Sequence, residues 1–158
     1  MTNPNDAYIA DDFRMLKPEA FDFVFSNELK RAVRSQNFVT LVVLEPLLRG
    51  GAAGGAAERD APVLEVARLV SREVRETDLL AHTGQGRLSV VLLDADLQNS
   101  LQVIERLMAR LEHYQFERPL TFEVGAACCP THGADAESLK RAAEAHPVPT
   151  RGHQSNAH

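Results

Sequence analysis

Residues 75–94 constrain the fold of this 158-residue chain most strongly, because two apolar runs flank a short glycine-rich turn there. The first run covers residues 79–81, and the second, residues 88–93, is almost entirely aliphatic. Gly84 and Gly86 lie between them, an arrangement that predicts a β-hairpin. The second run does not alternate between apolar and polar residues, which predicts a strand buried on both faces at the centre of a sheet.

The rest of the chain supplies further helices and strands around this hairpin. Apolar residues recur at helical spacing in four segments. The four predicted helices begin at Pro18, Asp60, Asp96 and Asp135. Residues 38–44 form a β-branched apolar run that ends before Glu45 and Pro46, and residues 120–128 alternate, so both are predicted strands. The order α-β-α-β-β-α-β-α predicts an α/β (α+β) fold, with a central mixed sheet flanked by helices.

Segments without apolar periodicity set the expected boundaries of the domain. Residues 1–16 are polar and are expected to form a flexible lead, and residues 147–158 a disordered tail. Residues 17–146 then form one domain, a normal size for a single hydrophobic core. Within it, residues 49–60 are rich in glycine and alanine, which predicts a flexible loop.

Composition excludes several classes of protein. The formal net charge of -5 argues against a nucleic-acid-binding protein. The N-terminus lacks the basic start and apolar core of a signal peptide, and no apolar run is long enough to span a membrane. The two cysteines, Cys128 and Cys129, are adjacent on a predicted strand and are poorly placed to bridge each other. Free thiols predict a cytoplasmic protein.

Several short motifs occur together and in order. Arg75 and Asp78 form an R-x-x-D motif, and residues 84–88, GQGRL, follow after five more residues. Alternate residues of 121–127 read T-x-E-x-G-x-A. This combination around a central hairpin resembles the GGDEF domain, the diguanylate cyclase family with a nucleotidyl-cyclase palm. The resemblance covers nearly the whole predicted domain and implies its fold.

The departures from the family pattern bear on catalysis. Active members carry metal-binding carboxylates at the end of the first strand and at the third position of the GGDEF signature, where this chain has Glu45 and Gly86. Arg87 replaces the signature glutamate, and its positive charge opposes metal binding. Two Mg²⁺ ions need several oxygen ligands. The resemblance therefore implies a degenerate domain that is not an enzyme, with no catalytic residue, no metal site and no cofactor.

The retained R-x-x-D motif implies a different activity. In the family this pair marks an inhibitory site for cyclic di-GMP, to which the helix after the hairpin often adds an arginine, here Arg106. An arginine can donate two hydrogen bonds to guanine O6 and N7, and an aspartate can accept from N1–H and the 2-amino group. The resemblance thus predicts a ligand site formed by Arg75, Asp78 and Arg106. The alternative is that Arg75 and Asp78 are merely a surface ion pair.

Two functions follow from these alternatives. The favoured hypothesis is an inactive signalling domain that serves as a cyclic-di-GMP receptor. The second is a ligand-free module that forms a homodimer or binds a protein partner in the same signalling system. An active cyclase ranks third. Neither favoured hypothesis involves nucleic acid or a membrane.

Overall fold

The computed structural model of the protein describes residues 13–49 and 56–149. Within them, four helices and four strands follow one another in the predicted order. The helices are α1 (Pro18–Ser35), α2 (Ala56–Glu73), α3 (Leu97–His113) and α4 (Ala136–Ala145). The strands are β1 (Val39–Leu48), β2 (Leu79–Gly84), β3 (Arg87–Leu93) and β4 (Leu120–Cys129).

The four strands form one sheet in the order β2-β3-β1-β4, and every neighbouring pair is antiparallel. The connection β1-α2-β2 skips over β3, and the connection β3-α3-β4 skips over β1. Each connection therefore joins two parallel strands that have a third strand between them. A parallel pairing in the described residues is the isolated bridge between Leu16 and Ala81, on the outer side of β2. The predicted α+β fold class is confirmed, but the four strands form an antiparallel sheet and not the mixed sheet that the sequence predicts.

The predicted hairpin is formed by β2 and β3. Gln85 and Gly86 make the two-residue turn, with φ angles of 56° and 73°. Positive φ at both central residues is the geometry of a type I′ turn, which matches the twist of the flanking strands. Gly84 also has a positive φ of 85°, next to an irregularity in the pairing between His82 and Gly84.

Helices cover both faces of the sheet. α2 and α3 bury their apolar residues against one face, and α1 and α4 against the other. Along β3, Val90 and Leu92 belong to the first cluster and Val91 to the second. This strand is thus buried on both faces, as its unbroken apolar run predicts.

α4 lies close against β4, and Gly125 makes the contact possible. A Cβ atom at Gly125 would lie 2.0 Å from the carbonyl oxygen of Ala143. Asp135 caps α4 by accepting hydrogen bonds from the backbone N–H and the hydroxyl of Ser138. These hydrogen bonds lower the pKa of Asp135.

Two predicted boundaries within the domain are wrong. β1 does not end before Glu45 and Pro46 but continues to Leu48. Beyond Leu44 it pairs with β4 alone, and a proline is tolerated where a strand has a neighbour on one side only. The predicted loop at residues 49–60 is also wrong in part, because α2 already begins at Ala56; residues 50–55 lie outside the described residues. Alanine and glutamate favour helix, so they extend α2 upstream of Asp60.

The outer boundaries also need correction. Leu16 lies in the predicted flexible lead, yet it is buried and exchanges backbone hydrogen bonds with Leu80 and His82. Val148 lies in the predicted tail, yet its N–H donates to the carbonyl of Val124. Backbone pairing at the two sheet edges thus includes residues on both sides of the expected domain. The remainders of the lead and tail, residues 1–12 and 150–158, lie outside the described residues.

The two cysteines are free and buried. Burial, and secondarily the neighbouring Cys128, raise the pKa of the Cys129 thiol, so Cys129 stays protonated and poorly reactive at neutral pH. No helix among residues 13–49 and 56–149 is long and apolar enough to cross a membrane.

Candidate functional site

The R-x-x-D motif forms a tight turn between α2 and β2. α2 ends at Glu73, so Arg75 lies just beyond the helix, and the N–H of Asp78 donates to the carbonyl of Arg75 at 3.0 Å. The Asp78 side chain is only 3% exposed. It accepts hydrogen bonds from the N–H of Arg75 at 3.0 Å and from the N–H of Leu93 at 3.1 Å. Through these hydrogen bonds Asp78 connects the turn to the end of β3.

Arg75 is more open than its partner, with a side chain that is 60% exposed. Its Nη2 atom donates to the Leu93 carbonyl and to Asp78 Oδ1, the latter at 3.3 Å. Both contacts use one nitrogen of the guanidinium, which has five N–H donors in a rigid plane. The other nitrogens remain available for a ligand, and the contacts with Leu93 and Asp78 orient them.

Arg106 comes from the middle of α3 and is held by the last residue of α2. Its Nε lies 3.5 Å from Glu73 Oε2, and its Nη2 donates to the Glu73 carbonyl at 3.4 Å. Arg110, one turn further along α3, places its Nε 2.5 Å from Glu73 Oε1. Glu73 therefore contacts two arginines at once.

The end of α2, the turn that follows it, the end of β3 and α3 surround a cavity of about 250 Å³. All three predicted site residues, Arg75, Asp78 and Arg106, line it. The remaining lining residues are Glu73, Val74, Leu92, Asp94, Ala95, Asn99 and Val103. The lining thus combines apolar side chains with charged ones, among them the exposed Arg75 and Arg106 at its rim, which suits a planar base that carries polar groups at its edge.

Sequence reasoning found the three cavity residues but missed Glu73. Arg75 and Asp78 are visible because their spacing is local, and Arg106 because the resemblance supplies it. Glu73 and Arg106 are 33 residues apart, and they meet only because α2 packs beside α3. No local spacing signals such a contact.

A second group of charged residues lies at the hairpin tip. Arg87, the first residue of β3, has its Nη1 3.2 Å from Glu144 Oε1 on α4 and its Nε 3.7 Å from Glu45 Oε2 on β1. These three side chains and Glu123 line a cavity of about 210 Å³. The arginine lies between carboxylates that would otherwise repel one another.

This group can be compared with what magnesium needs. Magnesium prefers near-octahedral oxygen coordination, with carboxylates directed at the ion. Here Glu45 and Glu144 contact a guanidinium, and within residues 13–49 and 56–149 no three acidic, histidine or cysteine side chains converge to hold an ion. The side chains at the hairpin tip form an ion-pair cluster in this conformation and do not fit the metal ions that the resemblance implies for active members.

Residues 19–147 match the family model described as diguanylate cyclase, GGDEF domain. The chain belongs to the GGDEF family. The match spans most of the chain and includes both the cavity and the hairpin tip. A comparison with curated protein sequences gave no match.

Solved structures of GGDEF domains share this fold. The coiled coil and GGDEF domain of DgcB from Caulobacter crescentus, in complex with c-di-GMP, has a TM-score of 0.72 at 16% identity, covering 89% of this chain and 78% of that one. A DGC protein from Thermotoga maritima gives 0.70 at 13% identity, with 86% and 98% covered. The active GGEEF domain of a diguanylate cyclase from Vibrio cholerae gives 0.69 at 13%, with 82% and 86% covered.

The prediction that this GGDEF domain is not an enzyme is contradicted by these comparisons. The matching family model is that of diguanylate cyclases, and similar solved structures include cyclases. Family membership therefore points to an enzyme. The ion pairs of Arg87 at the hairpin tip belong to one conformation of the domain and do not show that activity is lost.

Proposed function

We propose that this GGDEF domain binds cyclic di-GMP in the cavity lined by Arg75, Asp78 and Arg106, and that it acts as a receptor for that nucleotide. The observation that supports the proposal most is that these three residues, spread over 32 positions of the sequence, line one cavity of about 250 Å³. A surface ion pair would need no such cavity and no third residue.

The chemistry of the cavity matches the ligand. The available donors of Arg75 suit the O6 and N7 atoms of guanine, a contact that an arginine makes with two hydrogen bonds. Arg106, at the rim, suits a phosphate. DgcB, which shares the fold, is described in complex with c-di-GMP.

The role of Asp78 differs from the one expected from sequence, because both its oxygens already accept backbone hydrogen bonds. In our proposal Asp78 orients Arg75 more than it reads the base.

Calorimetric titration with cyclic di-GMP tests the proposal. Arg75→Ala should weaken binding by about 1–3 kcal/mol, or roughly ten- to a hundredfold, because the bidentate contact is lost. Arg75→Lys should not restore it, since an ammonium group cannot reproduce the planar fork. Arg72→Ala is the matched control, because it removes the same charge from the exposed end of α2 without touching the cavity.

Two results would contradict the proposal. The first is that the wild-type domain shows no binding at high micromolar ligand. The second is that Arg75→Ala and Arg72→Ala both bind as tightly as the wild type, which would place the ligand elsewhere. Cyclase activity with GTP, which family membership indicates, is a separate property and is measured separately.

A module that binds a protein partner or forms a homodimer remains the second candidate. It is favoured by α1, where the Phe23 side chain is 70% exposed and Val33 lies open as well. Exposed aromatic residues of this kind are common at protein interfaces. Absence of nucleotide binding, together with a dimer in analytical ultracentrifugation that Phe23→Ser disrupts, would favour this candidate.

For either function we propose a cytoplasmic location, where the free cysteines would remain reduced.

A further inference from the structure

Glu73 is the carboxylate that pairs with two arginines of α3, of which Arg106 lines the cavity. Its side chain is only 13% exposed, and its two oxygens contact two different residues, Arg106 at 3.5 Å and Arg110 at 2.5 Å. Three carboxylates line the cavity, those of Glu73, Asp78 and Asp94. Asp78 is occupied by backbone N–H groups, and the ion pairs with the arginines of α3 are made by Glu73.

We infer that Glu73 acts as an internal competitor of the ligand: it holds Arg106 and Arg110 in the free domain, and a phosphate of cyclic di-GMP has to displace it. This inference rests on the proposed function of the cavity and adds to it a residue that sets the affinity. The competitor is part of the chain, so its effective concentration at the arginines is high and constant.

Two electrostatic effects make Glu73 oppose binding. First, a guanidinium that is paired with a carboxylate can bind a phosphate through the same N–H groups only after that ion pair is broken. Second, the charge of Glu73 faces a cavity that has to accept a dianionic ligand, and like charges in a partly buried site interact more strongly than in water. Removal of the charge relieves both effects.

The position of Glu73 makes the two arginines act together. Because one carboxylate contacts both side chains, its displacement removes the ion pairs of Arg106 and Arg110 in one step, while the hydrogen bond from Arg106 to the Glu73 carbonyl can remain. Arg110 lies one helical turn beyond Arg106 on the same side of α3. The structure therefore assigns Arg110 to the binding response, although it does not line the cavity itself.

The test compares cyclic di-GMP titrations of the wild type, Glu73→Gln and Glu76→Gln at low and moderate salt. Glutamine has nearly the shape of glutamate but is uncharged, with an amide NH2 group in place of one carboxylate oxygen. Glu76, exposed three residues further on and not among the residues that line the cavity, serves as the control for overall charge. We expect Glu73→Gln to bind about five- to tenfold more tightly, which corresponds to the loss of one or two partly exposed ion pairs. The gain should shrink as salt rises, and Glu76→Gln should bind like the wild type.

A second comparison separates competition for the arginines from a general effect of charge. In an Arg106→Ala background, the gain from Glu73→Gln should be at least twofold smaller, because one of the competing pairs no longer exists. Equal gains in both backgrounds would overturn the inference.

The remaining outcomes are also decisive. If the wild type binds and Glu73→Gln binds equally or more weakly, Glu73 positions the arginines for the ligand and the inference fails, while the proposed function stands. If none of the variants binds, the proposed function fails and takes the inference with it.

Discussion

At the scale of single residues, the R-x-x-D motif combines two different roles. Arg75 is exposed and is the ligand contact in our proposal, whereas the buried side chain of Asp78 accepts hydrogen bonds from the backbone of the turn and of β3. A sequence motif does not distinguish these roles, because it fixes spacing and not burial. Sequence reasoning predicts that both residues contact the guanine base; our proposal replaces this with a division between ligand contact by Arg75 and support by Asp78.

This division predicts different effects of substitution at Asp78. Asp78→Ala should lower the free energy of unfolding by about 1–3 kcal/mol, since the N–H groups of Arg75 and Leu93 lose their acceptor, in the case of Leu93 at a partly buried position. Asp78→Asn should lower it less, because the amide keeps one acceptor oxygen. Urea unfolding of both variants and the wild type measures the difference. An unchanged unfolding midpoint for Asp78→Ala would show that the carboxylate does not fasten the turn.

At the scale of elements, the sequence predicts the hairpin and the buried β3 well and the ends of β1 and α2 poorly. Gly84 and Gly86 allow positive φ angles, so the turn is encoded locally. The extension of β1 past Pro46 depends on β4, in which Thr121, 74 residues further along the chain, pairs with Leu47. The start of α2 is likewise not at Asp60, where the sequence predicts the helix to begin. The ends of such strands and helices depend on residues far away in the sequence, or on local sequence preferences that compete with one another.

The packing of α4 against β4 gives a prediction at the same scale. Gly125→Ala should destabilise the domain by about 1–3 kcal/mol, because the new methyl group would collide with the backbone at Ala143 and force α4 outward. The same displacement should separate Glu144 from Arg87. Thermal unfolding measures the loss of stability. A melting temperature equal to that of the wild type would show that α4 approaches β4 less closely than described.

At the scale of the whole molecule, β3 connects two charged groups of residues. Its first residue, Arg87, belongs to the ion-pair cluster at the hairpin tip, and its last, Leu93, contacts Arg75 and Asp78 at the cavity. A strand of this length spans about 20 Å, so a ligand in the cavity is remote from the hairpin tip. The fold and the cavity residues could be inferred from sequence, whereas the contacts of Glu73 and Arg87 could not, since each joins elements that meet only in the folded chain.

Backbone amide NMR spectra recorded during a titration with cyclic di-GMP test the central claim most directly. We expect the signals of Arg75, Asp78, Leu93 and Arg106 to shift, while those of Glu45, Arg87 and Glu144 change little. The opposite pattern, with shifts confined to the hairpin tip, or spectra that do not change at high micromolar ligand, would contradict a cyclic-di-GMP site in this cavity.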